Sequence, residues 1–324
     1  MLRQVPPYWV WVAVAIIVLI AAVVVSRPAF WQKPNMVVVR KPGNRFLGQP
    51  QPAQAFAAED LPYALLSVSA YSYPAKDQLA CSDVSAGLGE QWVQWLNFPD
   101  KTLKAEMDAV HLRAQVWENK SKRLIVVTFG GTVATNLMDW KANTHWLHPF
   151  VKDEYTVVAH SFAPEFAKAM ARTIEQSGQE YDRATIIATG HSLGAGLAEK
   201  FAYSLPADTF GIPRVSKVYA FDPSPVTTYL NTISQVRKEN KTGLEIDRIY
   251  ERGEILAILR SITSLIHKPP SANPKVRQLR YNLFGDDRFG LTNPVASHSI
   301  QQLACRLREV AAGSDVKHSQ ETGQ

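Results

Sequence analysis

Apolar and polar positions divide the chain into three stretches before any chemistry is considered. Tyr8–Val25, YWVWVAVAIIVLIAAVVV, runs 18 residues without a charge, close to the minimum for a helix that crosses a bilayer. Tyr8, Trp9 and Trp11 stand at one end, and Phe30 and Trp31 just past the other, as interfacial anchoring predicts. A cleaved signal peptide has a shorter apolar region and a clearer small-residue cleavage site, so residues 1–25 are read as an uncleaved membrane anchor. Over 26–58 the pattern breaks up, with Pro28, Pro34, Pro42, Pro50 and Pro52 among glutamines, which predicts an extended linker. From Glu59 the periodic pattern begins. Leu61–Tyr73 reads as a first helix. His111–Trp117 and Arg123–Phe129 read as strands around the turn Glu118–Lys122, the second an unbroken apolar run suited to a sheet centre. Ala159–Gln176 places Phe162, Phe166, Ala169, Met170 and Ile174 on one side at helical spacing. Ala184–Thr189, Val215–Phe221 and Ile246–Tyr250 read as buried strands, Val276–Phe284 as a later strand or hairpin, and His298–Ala312 as a final amphipathic helix. Residues 313–324 form a polar tail. Strands alternating with helices over 59–312 predict an α/β domain, a mostly parallel sheet with helices on both faces.

Charge sharpens this division. Six basic residues (Arg3, Arg27, Lys33, Arg40, Lys41, Arg45) and no acid fall in 1–58, so the net charge of +6 belongs to the N-terminal arm and the remaining 29 basic and 29 acidic residues cancel. A nucleic-acid partner would call for a basic stripe on the folded domain, and none is visible. The arm's cations suit anionic lipid headgroups, or a solvated linker. Five of them follow the apolar run, which favours a cytoplasmic domain; an exporting signal-anchor would reverse the topology, and both orientations stay open. Cys81 and Cys305 allow one disulfide or two free thiols.

The chemistry centres on Gly190-His191-Ser192-Leu193-Gly194, which joins the strand Ala184–Thr189 to a run of good helix formers. Strand, G-x-S-x-G, helix is the setting of a nucleophile elbow, in which a serine on a sharp turn stands above a sheet. Such a serine needs a base, and the base an orienting acid, in the chain order serine, acid, histidine. Three histidines follow Ser192: His267 at an apparent helix end, His318 in the tail, and His298 just before the last helix. His298 is placed to reach back over the sheet edge. For the acid, Glu254 follows the strand Ile246–Tyr250 and Asp222 ends the strand Val215–Phe221; both stand at carboxyl ends of strands, where catalytic groups gather in open sheets.

The region 60–312 resembles the class 3, fungal-type lipase family of the α/β-hydrolase superfamily. Besides the elbow, Val127-Thr128-Phe129-Gly130-Gly131-Thr132 resembles its oxyanion strand, with glycine at 130 where the family has arginine. Asp139-Trp140 and Asn143 resemble the stretch behind it, and Val158-Ala159-His160-Ser161-Phe162 the opening of the next helix. The resemblance implies that Thr132 and Leu193 supply oxyanion N–H donors, that His298 is the base, and that Glu254, in Arg248–Leu256, is the acid, one methylene longer than the family's aspartate. It also implies structural roles for His160 and His191. Phe221-Asp222-Pro223 departs from the family and resembles another lipase group whose acid follows this strand, which keeps Asp222 in play. The implied function is a membrane-anchored, single-pass serine hydrolase acting on lipid esters, of acylglycerol lipase or phospholipase A type, with a lipid substrate and the bilayer as partners and neither metal nor cofactor. A small-ester hydrolase or thioesterase would use the same triad, and a catalytically silent tethered domain is the non-enzymatic alternative.

Overall fold

The computed structural model describes residues 33–71, 88–131, 154–177, 181–223, 234–252, 269–284 and 298–313. Its strands are β1 (Met36–Arg40), β2 (Pro50–Pro52), β3 (Val93–Gln94), β4 (Arg113–Asn119), β5 (Leu124–Gly130), β6 (Thr185–His191), β7 (Val215–Phe221), β8 (Glu245–Glu251) and β9 (Lys275–Asn282). They form one nine-stranded sheet in the order β2-β1-β9-β8-β7-β6-β5-β4-β3. The run β5 to β9 is parallel throughout. β4 and β1 flank it antiparallel, and β2 and β3 close the edges. Five helices of nine residues or more cover the sheet among the described residues: α1 (Gln54–Ser69), α2 (Lys101–Ala109), α3 (Ala163–Gln176), α4 (Leu193–Ser204) and α5 (Ile300–Ala311).

Side-chain alternation along the central strands explains the two layers. Ile125, Val127 and Phe129 of β5, with Ile186 and Ala188 of β6, face a core closed by α2, α3 and α4. Leu124, Val126 and Ile187 face the opposite core, closed by α1 and α5. The first core is knit by aromatic rings: Phe129, Phe162, Phe166 and Phe201 are fully buried, and Phe129 meets Phe162 edge-on at 5.4 Å between centroids. Buried on both faces, β5 and β6 therefore read as continuous apolar runs rather than alternating ones.

The structure corrects the linker reading of 26–58. Val37, Val38 and Val39 are buried in a strand that pairs with all of β9 from Gln278 to Asn282, and Pro50 and Pro52 sit on the edge strand β2, where a missing N–H costs little. The folded domain thus begins before Glu59. The first helix also starts earlier, at Gln54, and continues through Pro62; proline is most at home in a first turn, which is why Leu61 looks like a start. The segment before α3 is not uniform helix: one α-turn, Glu154–Val157, passes into a π-helical stretch, Val158–Phe162. The last strand is a single parallel strand, not a hairpin. Tyr8–Val25 lies outside the described residues, among which no helix is long and apolar enough to cross a membrane.

α1 is held to the sheet by buried polar bonds as well as apolar packing. Thr128 Oγ1 donates to the Leu66 carbonyl (3.0 Å) and Ser67 Oγ bonds Thr189 Oγ1 (3.0 Å). Tyr281 Oη donates to Asp60 (2.6 Å), whose burial pushes its carboxyl from 3.8 up to about 8. At its outer side Lys217 bridges Glu59 (2.6 Å) and Asp247 (2.9 Å).

Candidate active site

β6 delivers Ser192 on the predicted turn. The serine has φ 57° and ψ −120°, a region that costs a non-glycine residue on the order of 1–3 kcal/mol. Neighbours hold it there: its N–H donates to the Phe221 carbonyl (2.9 Å), and its own carbonyl accepts from Ala195 N–H (3.2 Å). The two flanking glycines are explained by close approach. A Cβ on Gly190 would collide with the Gly194 carbonyl, and one on Gly194 with the Phe129 carbonyl of β5. α4 begins at Leu193, so its free N–H groups and positive dipole end face the serine. Buried Glu199 of α4 forms a two-pronged pair with Arg248 of β8 (3.0 Å for each bond), pinning the elbow helix across the sheet.

His298 stands before α5, whose N-cap is Ser299. Its Nε2 lies 3.1 Å from Ser192 Oγ. Asp222, the residue after β7, is fully buried with φ 42° and its N–H donates to the Ile249 carbonyl (2.7 Å). Its Oδ2 lies 3.7 Å from His191 Nε2, and His191, Asp222 and His298 bring one ligating atom each within 4.8 Å of one another. Two imidazoles and a carboxylate also suit a metal. His191 does not fit that use: its Nε2 bonds the main-chain oxygen of His298 (2.8 Å) and its Nδ1 the Tyr71 hydroxyl (2.9 Å), which engages both ring nitrogens. The set fits proton transfer from a serine instead. Close by, Glu251 ends β8 fully inside the protein. Burial first, with the charge of Asp222 adding to it, pushes its carboxyl from 4.5 up to about 8 against the opposing main-chain donors.

The structure thus brings together Ser192, His298, Asp222 and the Leu193 N–H. Glu254, Thr132 and His267 lie outside the described residues, as do Asp139, Trp140, Asn143 and His318. Gly131 is described and abuts the elbow: a Cβ there would stand 3.4 Å from Leu193 N. His160 is exposed on the π-helical stretch rather than enclosed as a satisfied polar residue. Tyr71 had no role in the sequence reading. It lies 120 residues before His191, and no local pattern marks a tyrosine at a helix end as a partner of the elbow.

Residues 126–231 match the family of class 3 lipases. No curated protein matches the chain. Among solved structures, the triacylglyceride lipase of Rhizomucor miehei is 17% identical, covering 68% of this chain and 77% of that one at a TM-score of 0.42. The lipase of Rhizopus microsporus var. chinensis is 14% identical (85% and 91% covered, TM-score 0.43), and Lip2 lipase of Yarrowia lipolytica 15% (75% and 91%, TM-score 0.41). At these scores they are likenesses from which no residue role is taken.

Proposed function

We propose that this chain, a class 3 lipase by its residues 126–231 and so a carboxylic ester hydrolase, is a membrane-anchored enzyme that cleaves ester bonds of acylglycerols or phospholipids through an acyl-enzyme on Ser192. The carrying observation is the 3.1 Å approach of His298 Nε2 to Ser192 Oγ. In the first half-reaction Ser192 Oγ attacks the ester carbonyl carbon as His298 Nε2 takes the hydroxyl proton, and the oxyanion is met by the Leu193 N–H and, by family resemblance, Thr132. His298 returns the proton to the departing alcohol oxygen. Water then attacks the acyl-enzyme with the same imidazole as base, releasing the carboxylic acid and restoring the serine. Each oxyanion donor contributes roughly 10²–10³ in rate.

For the orienting acid we favour Asp222 over Glu254, because Asp222 stands within the cluster that contains His298. Membrane attachment rests on Tyr8–Val25 and on where the chain enters the sheet. Met36 pairs with Asn282 at the carboxyl end of β9, so the N-terminal segment joins the domain on the same edge that carries Ser192. Cys305 is disulfide-bonded, which favours an oxidising compartment for the catalytic domain.

The test is hydrolysis of long-chain phospholipid and acylglycerol in vesicles against short soluble esters. Ser192→Ala should abolish fluorophosphonate labelling and lower kcat by about 10⁶; undiminished turnover refutes the assignment. Asp222→Ala should cost far more than Glu254→Ala, and the reverse ranking returns the acid to Glu254. Preference for the soluble esters would make the chain a small-ester hydrolase.

A further inference from the structure

We propose that Tyr71 and His191 are positioning residues that hold the catalytic imidazole against Ser192 through its main chain. This rests on the reading of His298 as the base. The bond directions follow from the groups involved. A carbonyl only accepts, so the 2.8 Å contact between His191 Nε2 and the His298 oxygen places the imidazole proton of His191 on Nε2. In the neutral ring Nδ1 then has a lone pair, and it accepts from the Tyr71 hydroxyl at 2.9 Å. The sequence of donors therefore runs Tyr71 O–H to His191 Nδ1, and His191 Nε2–H to the His298 carbonyl.

The arrangement ties the main chain of the base to the sheet. His298 precedes α5 by a single residue, the cap Ser299. His191 by contrast is the last residue of β6, paired with Phe221 of β7 and nearly buried. It transmits the rigidity of the sheet centre to the base. The rings of His191 and His298 also pack at 4.8 Å between centroids, inclined by 50°, so the contact limits both the height and the tilt of the base. Tyr71 in turn is fixed at the end of α1 by its N–H to the Val68 carbonyl (3.0 Å). Its hydroxyl also lies 3.2 Å from the His191 carbonyl. If His191 gains a second proton, the hydroxyl can turn its own proton to that carbonyl and accept from Nδ1–H, leaving the bond to His298 in place.

Gly131 provides the space. A Cβ there would stand 2.5 Å from the Tyr71 hydroxyl and 2.9 Å from the His191 carbonyl, so the tyrosine reaches the elbow through a slot that only glycine leaves open. A misplacement of a catalytic group by about 1 Å costs on the order of 10² in rate.

The test uses the full chain in detergent with a soluble ester, measuring kcat, KM, the rate of fluorophosphonate labelling and the melting temperature. His191→Leu should lower kcat and the labelling rate together by about 10- to 100-fold with KM little changed. His191→Gln, whose Nε2 amide can still donate to the His298 carbonyl, should recover most of that loss although the ring is gone. Tyr71→Phe, which deletes one oxygen, should lower kcat by about 2- to 10-fold. Wild-type kcat in Tyr71→Phe and His191→Leu, or a His191→Gln variant as slow as His191→Leu at an unchanged melting temperature, overturns the proposal. Should His191→Leu fail to fold, Tyr71→Phe and His191→Gln decide alone. Wild-type kcat in Tyr71→Phe with Ser192→Ala inactive sinks the relay and leaves the hydrolase reading; activity in Ser192→Ala sinks both.

Discussion

At the scale of single residues, the site depends on backbone approaches as much as on side-chain chemistry. Ser192 keeps its unfavourable φ because the glycines at 190 and 194 let β5, β6 and α4 come into main-chain contact. Gly131 extends the same principle to the Tyr71 slot. Gly131→Ala adds one methyl at a point where the Tyr71 hydroxyl or the elbow backbone must give way. It should therefore lower kcat at least as far as Tyr71→Phe, with a melting temperature depressed by a few degrees; kinetics equal to wild type would show that the slot is not tight. Ser192 and His298 were legible in the sequence because their signals are local: a glycine-flanked turn after a buried strand, and a histidine just ahead of the last helix. The acid was not. Glu254 and Asp222 both follow strands, and nothing local in the sequence separates them. His191 pairs with Phe221, and Phe221 with Ile249. Asp222 is therefore one residue past the row that carries the elbow, and Glu254 lies outside the described residues.

At the scale of elements, α1 is the least legible and the most informative. Its sequence shows neither a clear apolar stripe nor a capped start, since it crosses the sheet with buried polar groups as well as apolar ones. Asp60 and Tyr281, Ser67 and Thr189, and Leu66 and Thr128 are long-range pairs that no periodicity encodes. Asp60 gives this docking a pH dependence, and Glu251 at the end of β8 adds to it. In the unfolded chain their carboxyls ionise near 3.8 and 4.5, whereas in the folded chain both keep the proton up to about pH 8. Between those limits the folded state binds more protons than the unfolded state, so stability is highest below about pH 4 as far as these two groups are concerned. It falls as pH rises toward 8, and levels off above it. Asp60→Asn keeps an oxygen that can accept from Tyr281 but removes the titration. Urea unfolding at pH 5 and pH 8 should show a smaller loss across that interval in Asp60→Asn than in the parent. An equal loss in both would assign the pH dependence to other groups.

At the scale of the whole molecule, the N-terminal arm is part of the fold and, in the proposed anchoring, the route to the membrane. Reading its prolines and cations as a linker was reasonable by composition, because the three valines that matter are a short signal inside a polar stretch. Register shows where they go. The row through His191 runs by way of Phe221, Ile249 and Leu279 to Val39, and Met36 stands three residues beyond it, about 10 Å along the strand on the serine's side. Four strand spacings, about 19 Å, separate β1 from β6, and residues 26–35 span at most about 35 Å. The proposed anchor at Tyr8–Val25 would therefore hold the catalytic edge, rather than the opposite one, close to the bilayer. Two truncations separate tether from fold. Removal of 1–32 leaves β1 intact, and the product should stay in the supernatant after membranes are sedimented while hydrolysing a short soluble ester at the parent rate. Removal of 1–58 strips β1, β2 and the first turn of α1. Burying Val37, Val38 and Val39 contributes roughly 1.5–3 kcal/mol each, a large share of the 5–15 kcal/mol that holds a typical domain together, and the loss also bares the edge of β9 to pairing with other chains. That longer truncation should be insoluble or inactive; a soluble, active product would show that the sheet does not need its N-terminal strands.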